Sequence, residues 1–140
     1  MVVIGILAVL LAIVLVAINP DRQFKQANDT QRKSDVNAIL NAISQYMADN
    51  KGDVTNLGIP TGTAEVVNST NSADLCTALV PTYIAALPVD PTGGSGTAVI
   101  VCSGEGVTWN TAYTVVQNTA GRVTVAAPGA QIESVISVTR

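Results

Sequence analysis

The chain has 140 residues, a formal net charge of −3 at pH 7, two cysteines and no histidine. This length allows one compact domain with an appendage, and the absence of a basic cluster argues against nucleic acid as a partner. Without histidine the chain lacks the commonest general base and metal ligand, so we expect no enzyme, no catalytic residues, no metal site and no cofactor.

Residues 1–20 form the first predicted element, an uncharged apolar helix that includes Val2–Ile18. A signal peptide needs a basic region before its apolar core, but no basic residue precedes Arg22. A membrane anchor needs about 20 apolar residues, and this run is slightly shorter. A core helix that is apolar all round needs a large domain, and the rest of the chain is too small to enclose it. Gly5 and Pro20 are predicted weak points of this helix.

Residues 21–52 are predicted as an amphipathic helix that continues the first and is kinked near Pro20. Its apolar residues recur at helical spacing and form one stripe that should pack on a head domain: Val36, Ile39, Leu40, Ile43, Tyr46 and Met47. The opposite face is predicted to be polar and solvated: Arg32, Lys33, Asp35, Asn37, Asn41 and Gln45. Gly52 is the predicted end of the helix.

Residues 53–140 are predicted as a globular head, with a loop-rich region at 53–96 and an antiparallel sheet at 97–140. The first region holds a short strand at Ala64–Val67 and a short helix from Ser72 to Val80. The predicted strands of the sheet are Thr97–Cys102, Ala112–Gln117, Arg122–Ala126 and Ile132–Val138, with a hairpin loop at 118–121. Three or four strands packed on the helix stripe give an α+β fold.

Cys76 and Cys102 are the only thiols, too few for a structural zinc site. In an exported chain we expect them to form one disulfide, and the apolar N-terminal segment favours export. Two buried free thiols in a cytosolic protein are the alternative.

Other polar motifs give weaker signals. Asp90 precedes a proline and is interpreted as a turn residue, with a calcium site that also uses Glu105 as the alternative. Asn28 and Asn68 begin two N-glycosylation patterns, which occur often by chance. Trp109 is expected to be partly buried in the head, although an exposed adhesive aromatic is the other interpretation.

Three stretches resemble type IV pilins and type II secretion pseudopilins. They are "MVVIGILAVLLAIVLVAINP", "RKSDVNAILNAISQYMADNKG" and "YIAALPVDP", which together span most of residues 1–91. The second stretch places Arg32, Asp35, Ile39, Ala42, Ile43 and Tyr46 at the positions of a recurrent pilin pattern. Mature pilins usually begin with a phenylalanine and carry a nearby glutamate, whereas no acidic residue precedes Asp21 here. We therefore expect that about six N-terminal residues of the family pattern are missing, a number taken from the resemblance alone.

The resemblance implies a lollipop-shaped pilin that is held in the cytoplasmic membrane and then polymerises with itself into a helical filament at the cell surface. Its further partners would be a prepilin peptidase and the pilus assembly machinery, and the fibre would support adhesion, motility or DNA uptake. We expect the helix to unwind partly between Gly5 and Pro20 in the filament, and the charged residues Arg22, Lys25, Asp29, Arg32 and Lys33 to form ion pairs between subunits. The membrane and filament-core residues would be Val2, Val3, Ile4, Ile6, Leu7, Val9, Leu10, Leu11, Ile13, Val14, Leu15 and Ile18.

Three alternatives remain open at this point. A pseudopilin of a secretion system would share the fold and form short assemblies. A single-pass membrane-anchored binding module would never polymerise. A secreted domain that retains its signal would have a mature N-terminus beyond Ile18.

Overall fold

The computed structural model describes residues 1–140 and has an α+β fold. A long N-terminal helical region is followed by a small antiparallel sheet with four strands in the order β1-β2-β3-β4, so the layout is consistent with a lollipop. The elements are α1 (Val2–Ile18), α2 (Pro20–Asp49), a 3₁₀ turn (Thr55–Leu57), β1 (Glu65–Asn68), α3 (Ala73–Leu79), β2 (Asn110–Gln117), β3 (Val123–Ala127) and β4 (Ile136–Thr139).

The helical region is broken between α1 and α2. Asn19 adopts a left-handed conformation with φ of 43°, and Pro20 occupies the first turn of α2. Proline is suited to that position because its missing N–H would have no helical partner there. The two helices are bent by 43° at this break. Neither helix alone has the length and apolarity to span a bilayer, whereas the bent pair taken together meets both criteria.

The apolar stripe of α2 packs on one face of the sheet. Val36, Ile39, Leu40 and Ile43 are almost completely buried, Tyr46 is buried at the edge, and Met47 is partly buried against the same core. The sheet contributes inward-facing side chains from alternate positions of β2 and β3, as expected for a sheet with one covered face. These are Tyr113, Val115, Val123, Val125 and Ala127.

One predicted strand is wrong, and another is wrong in part. Residues 97–102 form no strand, because only Val99 makes a ladder-type pair, with Leu87, and glycines flank the segment. The last strand begins at Ile136 rather than Ile132, since the backbone N–H groups of residues 131–133 bind the Asp29 carboxylate instead of a neighbouring strand. A segment forms a strand only where a neighbouring strand can pair with it, and the local sequence does not determine whether such a strand is present.

The predicted disulfide between Cys76 and Cys102 is present, at a sequence separation of 26 residues. It joins the buried face of α3 to the loop that follows residue 97. Because Cys102 lies in this loop, the expectation that it ends a strand is wrong.

Replacing both cysteines by alanine should lower the free energy of unfolding by about 3 kcal/mol, because the unfolded chain regains the entropy of an open loop. Urea denaturation of the full chain in detergent, followed by Trp109 fluorescence, measures this loss. Wild-type protein with reductant is the control and should lose a similar amount. A change below about 1 kcal/mol would contradict the prediction.

Candidate functional site

The largest exposed apolar surface of the molecule is α1. All of its residues are exposed, and the exposed fraction of its large apolar side chains runs from 51% at Val14 to 84% at Val16. Every residue predicted for the membrane or filament core therefore lies on this surface. Gly5 belongs to it as well, and a Cβ atom added there would meet nothing within 4 Å, so the chain's own packing does not require a glycine.

The apolar surface of α1 extends around the whole helix. The run contains no charged or polar side chain between Val2 and Ile18, so no face of it is suited to water. Such a helix requires apolar cover on all sides, in contrast to the one-sided stripe of α2. Exposed large apolar patches of this kind mark sites of protein or membrane interaction.

The next charged residues form a polar neck between α1 and the head. Asp21 and Lys25 make an exposed ion pair with a 2.7 Å N–O distance. Phe24 is 72% exposed beside them. Arg22 makes no hydrogen bond or ion pair within the chain, and it lines an open cavity of about 180 Å³ together with Lys33 and Ile132.

A buried ion network locks the head onto α2 just beyond the neck. The Arg32 side chain is 0% exposed and donates from Nε and Nη2 to the two oxygens of Asp90, at 2.6 and 2.9 Å. Nη1 donates to Asp29 Oδ1 at 2.8 Å, and Nη2 also donates to Thr92 Oγ1 at 2.6 Å. The loop over the network passes so close that a Cβ on Gly129 would lie 3.1 Å from Asp90 Oδ2. All these polar groups are satisfied, as a buried network requires.

The network corrects two expectations. Arg32 does not lie on a solvated face, and neither Arg32 nor Asp29 is available for ion pairs between subunits, because both are buried within the chain. Lys33 is paired with Glu133 of the same chain. The spacing of the sequence could have predicted the burial of Arg32. Arg32 precedes Val36 by four residues and Ile39 by seven, so it lies on the same face of α2 as the buried stripe.

Asp29 also holds the loop before β4. Its carboxylate accepts the backbone N–H groups of Gln131, Ile132 and Glu133 at distances of 2.8 to 3.3 Å. Burial alone would raise the pKa of Asp29, but these hydrogen bonds and the Arg32 guanidinium lower it to about 2.

Asp90 holds the turn that follows it in the chain, at residues 91–93. Its Oδ1 accepts the backbone N–H groups of Thr92 and Gly93, which is the turn role expected from its position before a proline. Burial raises the pKa of Asp90, whereas Arg32 and the Thr92 and Gly93 donors lower it to about 2. Glu105 lies on an exposed loop, and no group of three acidic, histidine or cysteine side chains is placed to hold a metal ion.

Acid should destabilise the head through Asp29 and Asp90. A carboxyl whose folded pKa is depressed stabilises the fold above its unfolded pKa near 3.9, and this contribution is lost as the pH falls towards 2. Asp35, which accepts a 2.7 Å hydrogen bond from the Tyr113 hydroxyl, has its pKa raised by burial and changes stability in the opposite direction. We expect a net loss of about 2–4 kcal/mol between pH 5 and pH 2.

Urea denaturation at several pH values measures this loss. The control is the double variant Asp29→Asn and Asp90→Asn, which should be less stable at pH 7 but should show a flatter pH profile. A wild-type profile as flat as that of the variant would contradict the prediction.

The remaining motifs lie in ordinary structural settings. Asn28 lies within α2 and donates to Gln131, and Asn68 at the end of β1 accepts two backbone N–H groups from the turn that follows. Trp109 is 7% exposed, and its indole N–H donates to the Cys102 carbonyl at 3.1 Å. The indole is therefore a part of the head core and not an exposed adhesive side chain.

No family model, curated protein or solved structure matches this chain significantly. The functional argument therefore depends on the residues and their geometry. The arrangement consists of a helix, α1, that needs apolar cover on every side, and a folded head that a buried ion network fixes to the following helix, α2.

Proposed function

We propose that the protein is the structural subunit of a type IV pilus-like filament, which polymerises through α1 into an extracellular fibre. The observation that carries this proposal is the complete exposure of an uncharged 17-residue apolar helix next to a well-packed head. The sequence resemblance of the two helical stretches and of "YIAALPVDP" to pilins supports the same function.

The energetics of α1 support a subunit that exists in two settings. Each large apolar side chain left in water costs roughly 1.5–3 kcal/mol relative to burial, so α1 cannot remain uncovered. A lipid bilayer and a bundle of identical helices are similarly apolar, so transfer between them is nearly neutral in hydrophobic terms. A subunit can therefore wait in the cytoplasmic membrane and later enter a filament without a large hydrophobic penalty.

The head would face the outside of the fibre. Its core is closed by the apolar stripe of α2, and its stability does not require α1, because no residue of α1 is buried. In this proposal the partners are other copies of the chain, the cytoplasmic membrane, a prepilin peptidase and the pilus assembly machinery. Adhesion, surface motility and DNA uptake are the activities that such a fibre would support.

Electron microscopy of material sheared from the native cells, with mass spectrometry of the purified fibres, tests the proposal. Long uniform fibres that yield peptides from residues 21–140 are the expected result. Short assemblies that appear only with an active secretion system would favour a pseudopilin. A monomer confined to the membrane fraction, with no fibres, would overturn the proposal in favour of an anchored binding module.

A further inference from the structure

The neck, residues 21–25, carries an exposed aromatic ring and an unpaired cation directly beyond α1. Phe24 is 72% exposed and is the only phenylalanine of the chain. Lys25 and Asp21 form an ion pair and offset each other's charge, so the positive charge of Arg22 is left without a partner in the chain. An apolar ring and a cation on one short helical segment are typical of helices that lie at a membrane surface.

The bend between the two helices determines where the neck lies if α1 spans a bilayer. Charged side chains are costly in hydrocarbon, so the hydrocarbon boundary must fall between Ile18 and Asp21. The headgroup layer beyond that boundary is about 5–7 Å thick on each side of the bilayer. Because α2 is inclined by 43° to α1, residues 20–25 rise only about 5 Å along the axis of α1. The whole neck therefore fits within the headgroup layer.

The two side chains are suitably placed around the helix for this layer. Residues two apart lie on nearly opposite sides of a helix, since each residue turns the chain by about 100°. In an inclined helix, Phe24 can therefore lie on the hydrocarbon side while Arg22 lies on the side of the phosphates. The head covers neither of them, because both are exposed.

Arg22 also lies beside a polar cavity that can take an anionic group. It lines the cavity of about 180 Å³ together with Gln26, one turn further along α2, whose side chain makes no hydrogen bond within the chain. The two carboxylates at this cavity are already engaged, because Asp29 belongs to the buried ion network and Glu133 is paired with Lys33. A guanidinium favours phosphate, to which it can donate two parallel hydrogen bonds.

We propose that the neck docks on the bilayer surface from which the head emerges, with Phe24 at the acyl-chain boundary and Arg22 and Gln26 bound to the phosphate of an anionic phospholipid. An anionic lipid is favoured over a zwitterionic one because no headgroup cation offsets its phosphate. The docking fixes the direction in which α2 and the head leave the membrane. This inference rests on the membrane stage of the proposed function, which an anchored binding module would share.

Native mass spectrometry of the full chain in detergent, with added phosphatidylglycerol or phosphatidylcholine, measures the lipid site. Wild type should bind phosphatidylglycerol more tightly than phosphatidylcholine, and Arg22→Gln should weaken phosphatidylglycerol binding about fivefold. Arg122→Gln is the matched control, because Arg122 is an exposed arginine on the head and should leave lipid binding unchanged. An excess of inorganic phosphate should not displace the lipid from wild type.

Three results of this experiment would overturn the inference. Equal binding of phosphatidylglycerol by wild type and Arg22→Gln would show that Arg22 does not hold the lipid. Displacement by inorganic phosphate would make the cavity a site for free phosphate. A lower fibre number in Arg22→Gln with unchanged lipid binding would assign Arg22 to a contact with a neighbouring subunit.

The depth of the neck is measured with Phe24→Trp in bilayers that contain brominated lipids. Lipids brominated near the headgroup should quench the added indole, whereas Trp109 is buried in the head and gives a constant background. Gln45→Trp is the control, since Gln45 is exposed on α2 far beyond the neck and should not be quenched. Absence of quenching in Phe24→Trp would overturn the docking. Both experiments use single subunits, so a failure to form fibres would refute the proposed function without changing either readout.

Discussion

Replacing Arg32 by leucine should lower the free energy of unfolding of the head by about 3–5 kcal/mol at pH 7. The guanidinium is fully buried and makes four hydrogen bonds, to Asp90, Asp29 and Thr92. Leucine fills part of its volume but leaves two buried carboxylates without their counter-ion. Breaking one partner of a buried ion network is costly for this reason, even where the intact network adds little net stability.

The deficit of the Arg32→Leu variant should depend on pH. Without Arg32 the pKa values of Asp29 and Asp90 rise, because burial is no longer opposed by the guanidinium. Below about pH 4 the two carboxyls take up protons and the uncompensated charges disappear, so the variant and the wild type should converge in stability. A deficit that stays constant from pH 7 to pH 3 would indicate lost packing instead of lost charge compensation.

Urea denaturation of the full-length variants provides the measurement. Arg22→Leu is the matched control, since Arg22 is an exposed arginine on the same helix without an intramolecular partner, and it should change stability by less than about 0.5 kcal/mol. A double-mutant cycle with Asp90→Asn should give a coupling energy of about 1–3 kcal/mol. If Arg32→Leu lowers the free energy of unfolding by less than about 1 kcal/mol, the ion network is not what holds the head on α2.

The network also indicates where sequence reasoning reaches its limit. The apolar stripe from Val36 to Tyr46 is a local pattern, and local periodicity was enough to predict the face that packs on the sheet. The partners of Arg32 are not local, because Asp90 lies 58 residues away and the loop at 131–133 lies about 100 residues from Asp29. Only the folded chain brings these groups together, so a polar residue in register with the stripe was predicted to be solvated.

The sheet shows the same limit for β-structure. The segments that became β2 and β3 were predictable because a hairpin loop joins two alternating runs, so their pairing is local in sequence. The segment at 97–102 has similar β-forming residues, but it pairs with the rest of the head only at Val99, whose partner is Leu87. Its composition predicts an extended conformation, and only tertiary structure determines how much of it is paired.

Replacing Ile13 by lysine should abolish fibres while leaving the head folded. A lysine near the centre of a membrane-spanning helix costs about 2.5–3.5 kcal/mol on insertion scales, which the other apolar residues of α1 can offset. Among identical helices the defect is present in every subunit, and the same penalty corresponds to a decrease of about a hundredfold in each association step. The variant should therefore remain in the membrane fraction and fail to polymerise.

Ile100→Lys is the matched control for this prediction. It makes the same change at a similarly exposed isoleucine, since Ile13 is 60% exposed and Ile100 is 69% exposed. The control should form fibres in wild-type number, because its site lies on the head and not on α1. Fibre counts by electron microscopy, with the membrane content of each variant and its disulfide state on non-reducing gels, complete the measurement. Normal fibres from Ile13→Lys would mean that α1 is not the polymerisation surface, and equal losses in both variants would mean that the lysine acts on the subunit and not on its assembly.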